Sequence, residues 1–339
     1  MSVLASSRFP RAMGVVLLVL IGLAAHASSA LAYLKLGFEA GGDFVLLRWK
    51  APVRYSVTDQ DIPGVSASEF QAAVNRAFDT WQAVPTATIE YEFTGFTSAL
   101  PGDEDGRSTL GFRAAPDLDR VLAATSFLVD AVTGEVLESD VFFNTVFDWS
   151  VAADGEAARY DVETIALHEI GHLSGLGHSA LGETELSLVG RRVTAAESVM
   201  FPIAFRPGGV SNRSLRPDDI AGLSDIYPDS TFKEETGSVS GRVLKSGQGV
   251  YGAHVVAFSP RTGALVGTFS LNDLGRFAMA GLEPGPYILR VEPLDDADVE
   301  SFFEGDDVDV DFRAGYYDRF VVVPRGGNAR TVDVTVMAK

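Results

Sequence analysis

Five residues between positions 168 and 178 have the types and the spacing of a metal site with an adjacent base. They are His168, Glu169, His172, Gly175 and His178, in the pattern H-E-x-x-H-x-x-G-x-x-H. Residues i and i+4 of a helix share a face, so His168 and His172 can present both imidazoles to one point. A catalytic zinc ion usually takes three protein ligands and keeps one position for water. The pattern therefore predicts a zinc site with His178 as the third ligand.

The other two residues of the pattern have predicted roles of their own. Gly175 tolerates the positive φ that ends a helix, so the chain can reverse there and bring His178 back to the metal. Glu169 would lie beside the metal without binding it, where it can take a proton from water that the metal activates. Three of the chain's 5 histidines fall in this window. The alternative is a structural or degenerate site, since a bare H-E-x-x-H also arises by chance in helices.

The motif and two later segments resemble the matrixin branch of the metzincin metalloproteases. In metzincins a methionine turn follows the long zinc motif, and residues 198–202 (Ser-Val-Met-Phe-Pro) fit that turn with Met200 as the methionine. Ser179, directly after the third histidine, is similar to the serine usual in matrixins. Residues 215–223 resemble the last helix of the matrixin catalytic domain, with its paired aspartates. The resemblance covers roughly residues 49–227.

The resemblance implies a secreted zinc-dependent endopeptidase that cleaves protein or peptide substrates. The implied fold is an α+β metzincin domain, a twisted mixed sheet with three main helices. Glu169 is then the base that activates water. Gly175 and Asp219 are structural supports, and Asp219 holds the methionine turn. Phe201 and Pro202 form the wall of the pocket for the side chain after the cut bond.

The chain departs from vertebrate matrixins in two respects. Those proteins hold a second, structural zinc ion with histidines that precede the catalytic helix, but residues 27–167 contain no histidine. We therefore expect one catalytic zinc ion and a bacterial-type scaffold. The chain also has 0 cysteines, so latency through a cysteine bound to zinc cannot operate.

The first 32 residues have the composition of a signal peptide. Arg8 and Arg11 precede an apolar stretch at residues 13–25, and Ala-Leu-Ala at 30–32 is a small-x-small cleavage site. The apolar stretch is shorter than the roughly 20 residues that a membrane-spanning helix needs. The sequence therefore predicts a secreted or extracellular protein, or a periplasmic or cell-surface one, with no membrane span after cleavage.

The net charge of −19 argues against nucleic acid as a partner. Calcium takes oxygen ligands, and two acidic clusters are candidates for it, residues 103–105 and the aspartates at 306, 307, 309 and 311. Neither cluster matches an EF-hand loop, so zinc is the principal predicted cofactor. The sequence does not indicate an oligomeric state.

Four segments divide the chain. We predict the signal peptide at 1–32, a matrixin-like domain at 33–228, a polar linker at 229–237 and a second domain at 238–339. In the second domain, short strands recur with turns between them, which is typical of an all-β sandwich. Its turn motifs, such as Leu-x-Pro-Gly-x-Tyr at 282–287, resemble carboxypeptidase regulatory-like, transthyretin-like domains. An alternative function is a catalytically silent or narrow-specificity zinc protein whose sandwich binds a surface ligand.

Overall fold

The computed structural model describes residues 15–19, 35–41, 43–187, 190–294, 299–303 and 308–339. The predicted signal peptide lies outside the described residues, apart from 15–19. Among the helices of the described residues, none combines the length and apolar character needed to cross a membrane.

The N-terminal region, residues 35–228, contains three helices and most of the strands of one mixed sheet. The helices are α1 (Ala67–Gln82), α2 (Val162–Leu173) and α3 (Pro217–Ile226). Strand β1 (Val15–Val19) precedes the region. Strands β2 to β12 are Gly37–Ala40, Asp43–Leu46, Val53–Thr58, Tyr91–Thr97, Ser108–Arg113, Ala123–Asp130, Val136–Asn144, Trp149–Ser150, Tyr160–Asp161, Gly182–Ser187 and Gly190–Ala196.

The central sheet has six strands in the order β1-β7-β8-β6-β4-β5. The pairs β1–β7 and β7–β8 are antiparallel, whereas β8–β6, β6–β4 and β4–β5 are parallel. Helices α1 and α2 share one hydrophobic core with this sheet. The predicted α+β arrangement with three main helices is confirmed for this region.

Helix α1 forms where an N-cap signal precedes an amphipathic stretch. The Ser66 hydroxyl accepts the Glu69 backbone N–H while the Glu69 carboxylate accepts the Ser66 N–H, so two unpaired donors of the first turn are satisfied. The buried face of the helix packs on α2, and its Trp81 indole N–H donates to the Leu167 carbonyl at 2.8 Å. This contact fixes α2, the helix that carries the zinc motif, against the core.

Strand β6 and the hairpin β11–β12 were not predicted from the sequence. Strand β6 follows the acidic turn at 103–105 and takes a central place in the sheet. The long segment between His178 and Met200 forms the antiparallel hairpin β11–β12.

The C-terminal β-unit, residues 237–339, consists of two sheets that enclose one apolar core. One sheet is built on β13, which pairs with β14, β17 and β21, and the other has β16-β15-β18-β19 with β20 beside β18. The strands β13 to β21 are Gly237–Lys245, Gln248–Gly249, His254–Phe258, Leu265–Phe269, Arg276–Leu282, Gly285–Glu292, Gly315–Tyr316, Val321–Val323 and Val332–Val336. The predicted linker contains a one-turn helix, α4 (Phe232–Glu235). The Phe232 side chain of this helix is buried, so the linker packs against the rest of the protein.

Candidate metal centre

The turn after α2 sets the direction of the third histidine. Gly175 has a φ of 96°, and its N–H donates to the His172 carbonyl while the Leu176 N–H donates to the Gly171 carbonyl. These two bonds form a Schellman motif, which needs a residue of positive φ just past the helix. A Cβ on Gly175 would lie 2.7 Å from the Leu47 carbonyl oxygen, so both conformation and space favour glycine there.

The three predicted ligands converge beyond this turn. Ring centroids lie 4.7 Å apart for His168 and His172, 4.8 Å for His172 and His178, and 5.5 Å for His168 and His178. One ligand atom from each ring lies within 4.8 Å of the other two. Among the described residues, no other group of three histidine, cysteine or acidic side chains converges in this way.

Each imidazole is anchored through Nδ1 to a backbone carbonyl. The partners are Val199 for His168 at 2.8 Å, Leu176 for His172 at 2.8 Å and Ser301 for His178 at 2.6 Å. A carbonyl oxygen only accepts, so each Nδ1 carries the proton and each Nε2 keeps its lone pair. Such outer partners fix the tautomer and orientation of metal-binding histidines. The donor set therefore fits zinc.

Burial keeps the three rings neutral, the form that binds a metal. It lowers the pKa of His168 to about 3, with a further decrease from the neighbouring His178. Burial is also the main cause that lowers the pKa of His172 and of His178.

Glu169 lies on α2 beside the ligands and is buried. Its Oε2 accepts a hydrogen bond from the Thr125 hydroxyl of β7 at 2.7 Å. Burial raises the pKa of Glu169 to about 7, and the bond from Thr125 partly opposes that shift. A carboxyl group with a pKa close to neutrality can both accept and return a proton.

Met200 lies beneath the histidines, packed against α2. Position 171 has no side chain, and a Cβ there would lie 2.2 Å from the Met200 sulfur. Gly171, which occupies a variable position of the motif, therefore makes room for the methionine. The helix and the turn thus approach each other closely at Gly171 and Met200.

Asp219 of α3 holds the backbone of this turn. Its Oδ1 accepts the Ser198 hydroxyl at 2.6 Å and the Val199 N–H at 3.0 Å, and its Oδ2 accepts the Arg216 N–H at 2.8 Å. The carboxyl group is buried. Because Val199 also supplies the carbonyl that anchors His168, Asp219 supports the metal centre as well as the turn.

The predicted pocket wall lies where the two regions of the chain meet. Phe201 is 4% exposed and belongs to an apolar cluster with residues of the hairpin and of the C-terminal β-unit. Its ring covers Gly182 at the start of β11. Pro202 is half-buried beside it.

The acidic clusters considered for calcium have other contacts. Asp103 accepts the Leu100 N–H and Asp105 accepts the Arg107 N–H. Asp309 pairs with Lys245. Positions 306 and 307 lie outside the described residues.

Two groups of the site were not predicted from the sequence. Thr125 contacts Glu169, but a threonine in a strand has no feature that marks it. Ser301 contributes a main-chain carbonyl, which any residue type possesses. The sequence carries no signal for either contact.

A mixed sheet backed by helices, with the third histidine brought in by a glycine turn above a buried methionine, defines the metzincin class of zinc peptidases. A profile of the Matrixin family matches residues 48–228. The chain belongs to the matrixin family, as its motif predicted.

Curated relatives carry names of the same kind. Metalloendoproteinase 5-MMP of Arabidopsis thaliana is 32% identical over 107 residues, 29% of this chain and 25% of the relative. Metalloendoproteinase 1-MMP of Arabidopsis thaliana is 27% identical over 189 residues, 54% of this chain and 45% of the relative. Human neutrophil collagenase is 28% identical over 167 residues, 49% of this chain and 30% of the relative. The chain thus spans less than half the length of these relatives.

Proposed function

We propose that this protein is a secreted zinc-dependent endopeptidase. The observation that carries the proposal is the convergence of three neutral imidazoles beside a buried glutamate of raised pKa. His168, His172 and His178 would hold the ion through Nε2. Zinc, when bound, polarises a carbonyl group and lowers the pKa of water.

Glu169 performs the proton transfers in this mechanism. Its carboxylate accepts a proton from the attacking water and returns it to the amine that leaves when the peptide bond breaks. Thr125 holds the carboxylate by donating to Oε2. The buried surroundings exclude bulk water, which strengthens these electrostatic contacts.

The substrate would bind as an extended strand along β7. This strand carries Thr125. In the central sheet it pairs with β8 on one side and, over Ser126–Asp130, with β1 on the other. Because β1 falls within the predicted signal peptide, cleavage of that peptide would leave this side of β7 as an open sheet edge. Peptides commonly bind proteases by adding a strand to an exposed edge. Phe201 and Pro202 would bound the pocket for an apolar side chain after the cut bond.

Substitution of Glu169→Gln tests the proposal. The variant keeps the size of the side chain but loses the base, so we expect cleavage of casein and of a peptide library to fall about 10²- to 10⁴-fold. Zinc content, measured by elemental analysis, should stay at one ion per chain. Retention of wild-type cleavage would remove Glu169 from this role.

Glu163→Gln is the matched control. Glu163 is a buried glutamate of the same helix, but it pairs with Arg76 rather than facing the metal centre. It should leave cleavage unchanged. A wild-type chain that binds zinc and cleaves nothing in the library would instead favour the silent zinc protein, and cleavage of a few related sequences would favour a processing peptidase.

A further inference from the structure

The anchors of the three histidines come from two different regions of the chain. Val199 and Leu176 belong to the turns that surround α2, close to the ligands that they hold. Ser301 belongs to the C-terminal β-unit and lies 123 residues beyond His178 in sequence. The orientation of His178 therefore depends on the C-terminal β-unit, whereas the other two histidines are anchored within the N-terminal region.

The segment that carries Ser301 is held firmly at this place. Residues 299–301 form a 3₁₀ turn, and the N–H groups of Phe302 and Phe303 both donate to the Val299 carbonyl at 2.9 Å. Both phenyl rings are buried. They pack on Phe269 of β16, with ring centroids 5.6 Å and 5.4 Å away.

The Phe302 ring also meets the metal ligand itself. Its centroid lies 6.3 Å from that of His178, edge to face. The apolar cluster around it joins the hairpin, Phe201 and strand β16 across the boundary between the two regions. The segment therefore contacts His178 through a hydrogen bond and through a ring.

A second tie joins the two regions one residue further along the chain. The Asp218 carboxyl group accepts the Ser179 hydroxyl at 2.7 Å on one oxygen and the Gly267 N–H of β16 at 2.8 Å on the other. The imidazole of His178 and the residue after it are thus both fixed against the C-terminal β-unit.

We propose that the C-terminal β-unit is a positioning element of the metal centre. The Ser301 carbonyl fixes the Nδ1–H tautomer of His178 and aims its Nε2 at the ion, so that docking of the unit and zinc binding favour each other. Ser301 is a positioning residue, since it acts through His178 and touches neither ion nor substrate. The inference rests on the proposed function only in taking His178 as a metal ligand.

A pair of variants at position 302 isolates the carbonyl. Phe302→Ala removes the ring and keeps the backbone, whereas Phe302→Pro removes the ring and also disfavours the helical conformation of the preceding residue. Proline there also removes the N–H that donates to Val299. These two effects of proline redirect the Ser301 carbonyl, and alanine has neither of them. The difference between the two variants therefore reports on the carbonyl.

We expect Phe302→Pro to bind zinc about 10- to 100-fold more weakly than Phe302→Ala, the range found when the outer partner of a metal ligand is lost. The full-length chain is titrated with zinc against a chelator. The visible spectrum of the cobalt-substituted protein should change more for the proline variant than for the alanine variant, because only proline also displaces the carbonyl that orients His178. Equal affinities and equal spectra for the two variants would overturn the inference.

A wild-type measurement avoids the risk that a variant fails to fold. Coupling between two equilibria is reciprocal, so zinc must protect the docked segment by the factor by which docking favours zinc. Hydrogen exchange of the Phe302 and Phe303 amides should slow about 10- to 100-fold when zinc is added. The Val243 amide, which donates to Gly275 inside the β-unit, is the control. Unchanged exchange at 302 and 303 contradicts the coupling.

A further variant separates this inference from the proposed function. If His178→Ala keeps wild-type zinc affinity, His178 is not a ligand and the proposed function fails with it. If His178→Ala loses zinc while the two variants at 302 bind it equally, the function stands and only the positioning role is wrong.

Discussion

The two regions of the chain differ in where they bury acidic groups. All eight buried carboxylate residues among the described residues belong to the N-terminal region, namely Asp130, Glu138, Asp140, Asp161, Glu163, Glu169, Asp218 and Asp219. In the described part of the C-terminal β-unit, the buried polar residues are His254, Ser259, Thr268 and Ser270. The matrixin region thus uses carboxylates as acceptors for its irregular backbone, whereas strand pairing and apolar packing hold the β-unit.

The difference in buried acids follows from the backbone structure of each region. A metal centre requires turns at fixed positions, and such turns leave buried N–H groups that a carboxylate can satisfy. A pair of sheets satisfies its N–H groups internally. We therefore expect changes at the buried acids that accept backbone N–H groups, such as Asp219, to damage the matrixin region and to leave the β-unit folded.

Removal of zinc should have the largest effect and gives the most direct test of this contrast. His172→Ala, or dialysis against a chelator, should abolish detectable hydrolysis because the ion supplies the Lewis acid. Thermal unfolding followed by fluorescence should shift to lower temperature for the matrixin region. The comparison fails if the core of the β-unit, probed by hydrogen exchange, loses its protection equally.

Asp219→Asn should cost about 1–3 kcal/mol of unfolding free energy, because the amide nitrogen cannot accept the N–H group that now points at the oxygen it replaces. Because the amide keeps one carbonyl oxygen, the lost acceptor is that of Met200 or that of Arg216, and Val199 keeps one of its two contacts. Urea denaturation measures the effect. The matched control is Asp333→Asn, an exposed acid of the β-unit that pairs with Arg242, with an expected change of about 0–1 kcal/mol.

The boundary between the regions should respond to pH through Asp218. Burial, and then the neighbouring Asp219, raise the pKa of Asp218 to about 7. The folded state therefore binds this proton more tightly than the unfolded state, and stability falls as pH rises from about 4 to about 7. In Asp218→Asn, the amide oxygen can accept from Gly267 and the amide nitrogen can donate to Ser179. Denaturant unfolding at several pH values should show a smaller pH dependence for this variant, and an identical pH dependence would contradict the assignment.

Ser66→Ala should give the smallest effect, about 1 kcal/mol, through loss of the α1 cap. Calorimetry would detect it as a modest decrease in the unfolding temperature. Ser68→Ala, two residues later and outside the capping box, should change the unfolding temperature less. A decrease of the same size for both variants would remove the capping box from the explanation.

The local parts of the site could be predicted from sequence because they depend on short spacings. The i, i+4 histidines and the glycine turn follow from backbone geometry within a few residues. Strand β6 and the hairpin β11–β12 were missed because their apolar residues are interrupted by glycine or by charges, as in Gly-Glu-Thr-Glu-Leu-Ser. These segments form strands because neighbouring strands pair with them, and their own hydrophobic pattern does not indicate it.

Contacts between distant main-chain groups were beyond prediction for a different reason. The Ser301 carbonyl and the Gly267 N–H are present whatever the residue type, so no composition or period indicates them. The role of Asp219 was accessible only through the resemblance to matrixins. The likeness of the β-unit to carboxypeptidase regulatory-like domains stays a prediction.

The apolar cluster around Phe201 bears on how a catalytic fragment of this protein can be made. A chain cut after residue 228 would leave Phe201, Val193 and Ala196 without the phenylalanines that now cover them. Newly exposed apolar area of this kind promotes self-association. A soluble fragment would therefore need polar replacements on that face, and its cleavage profile would describe a remodelled pocket rather than the native one.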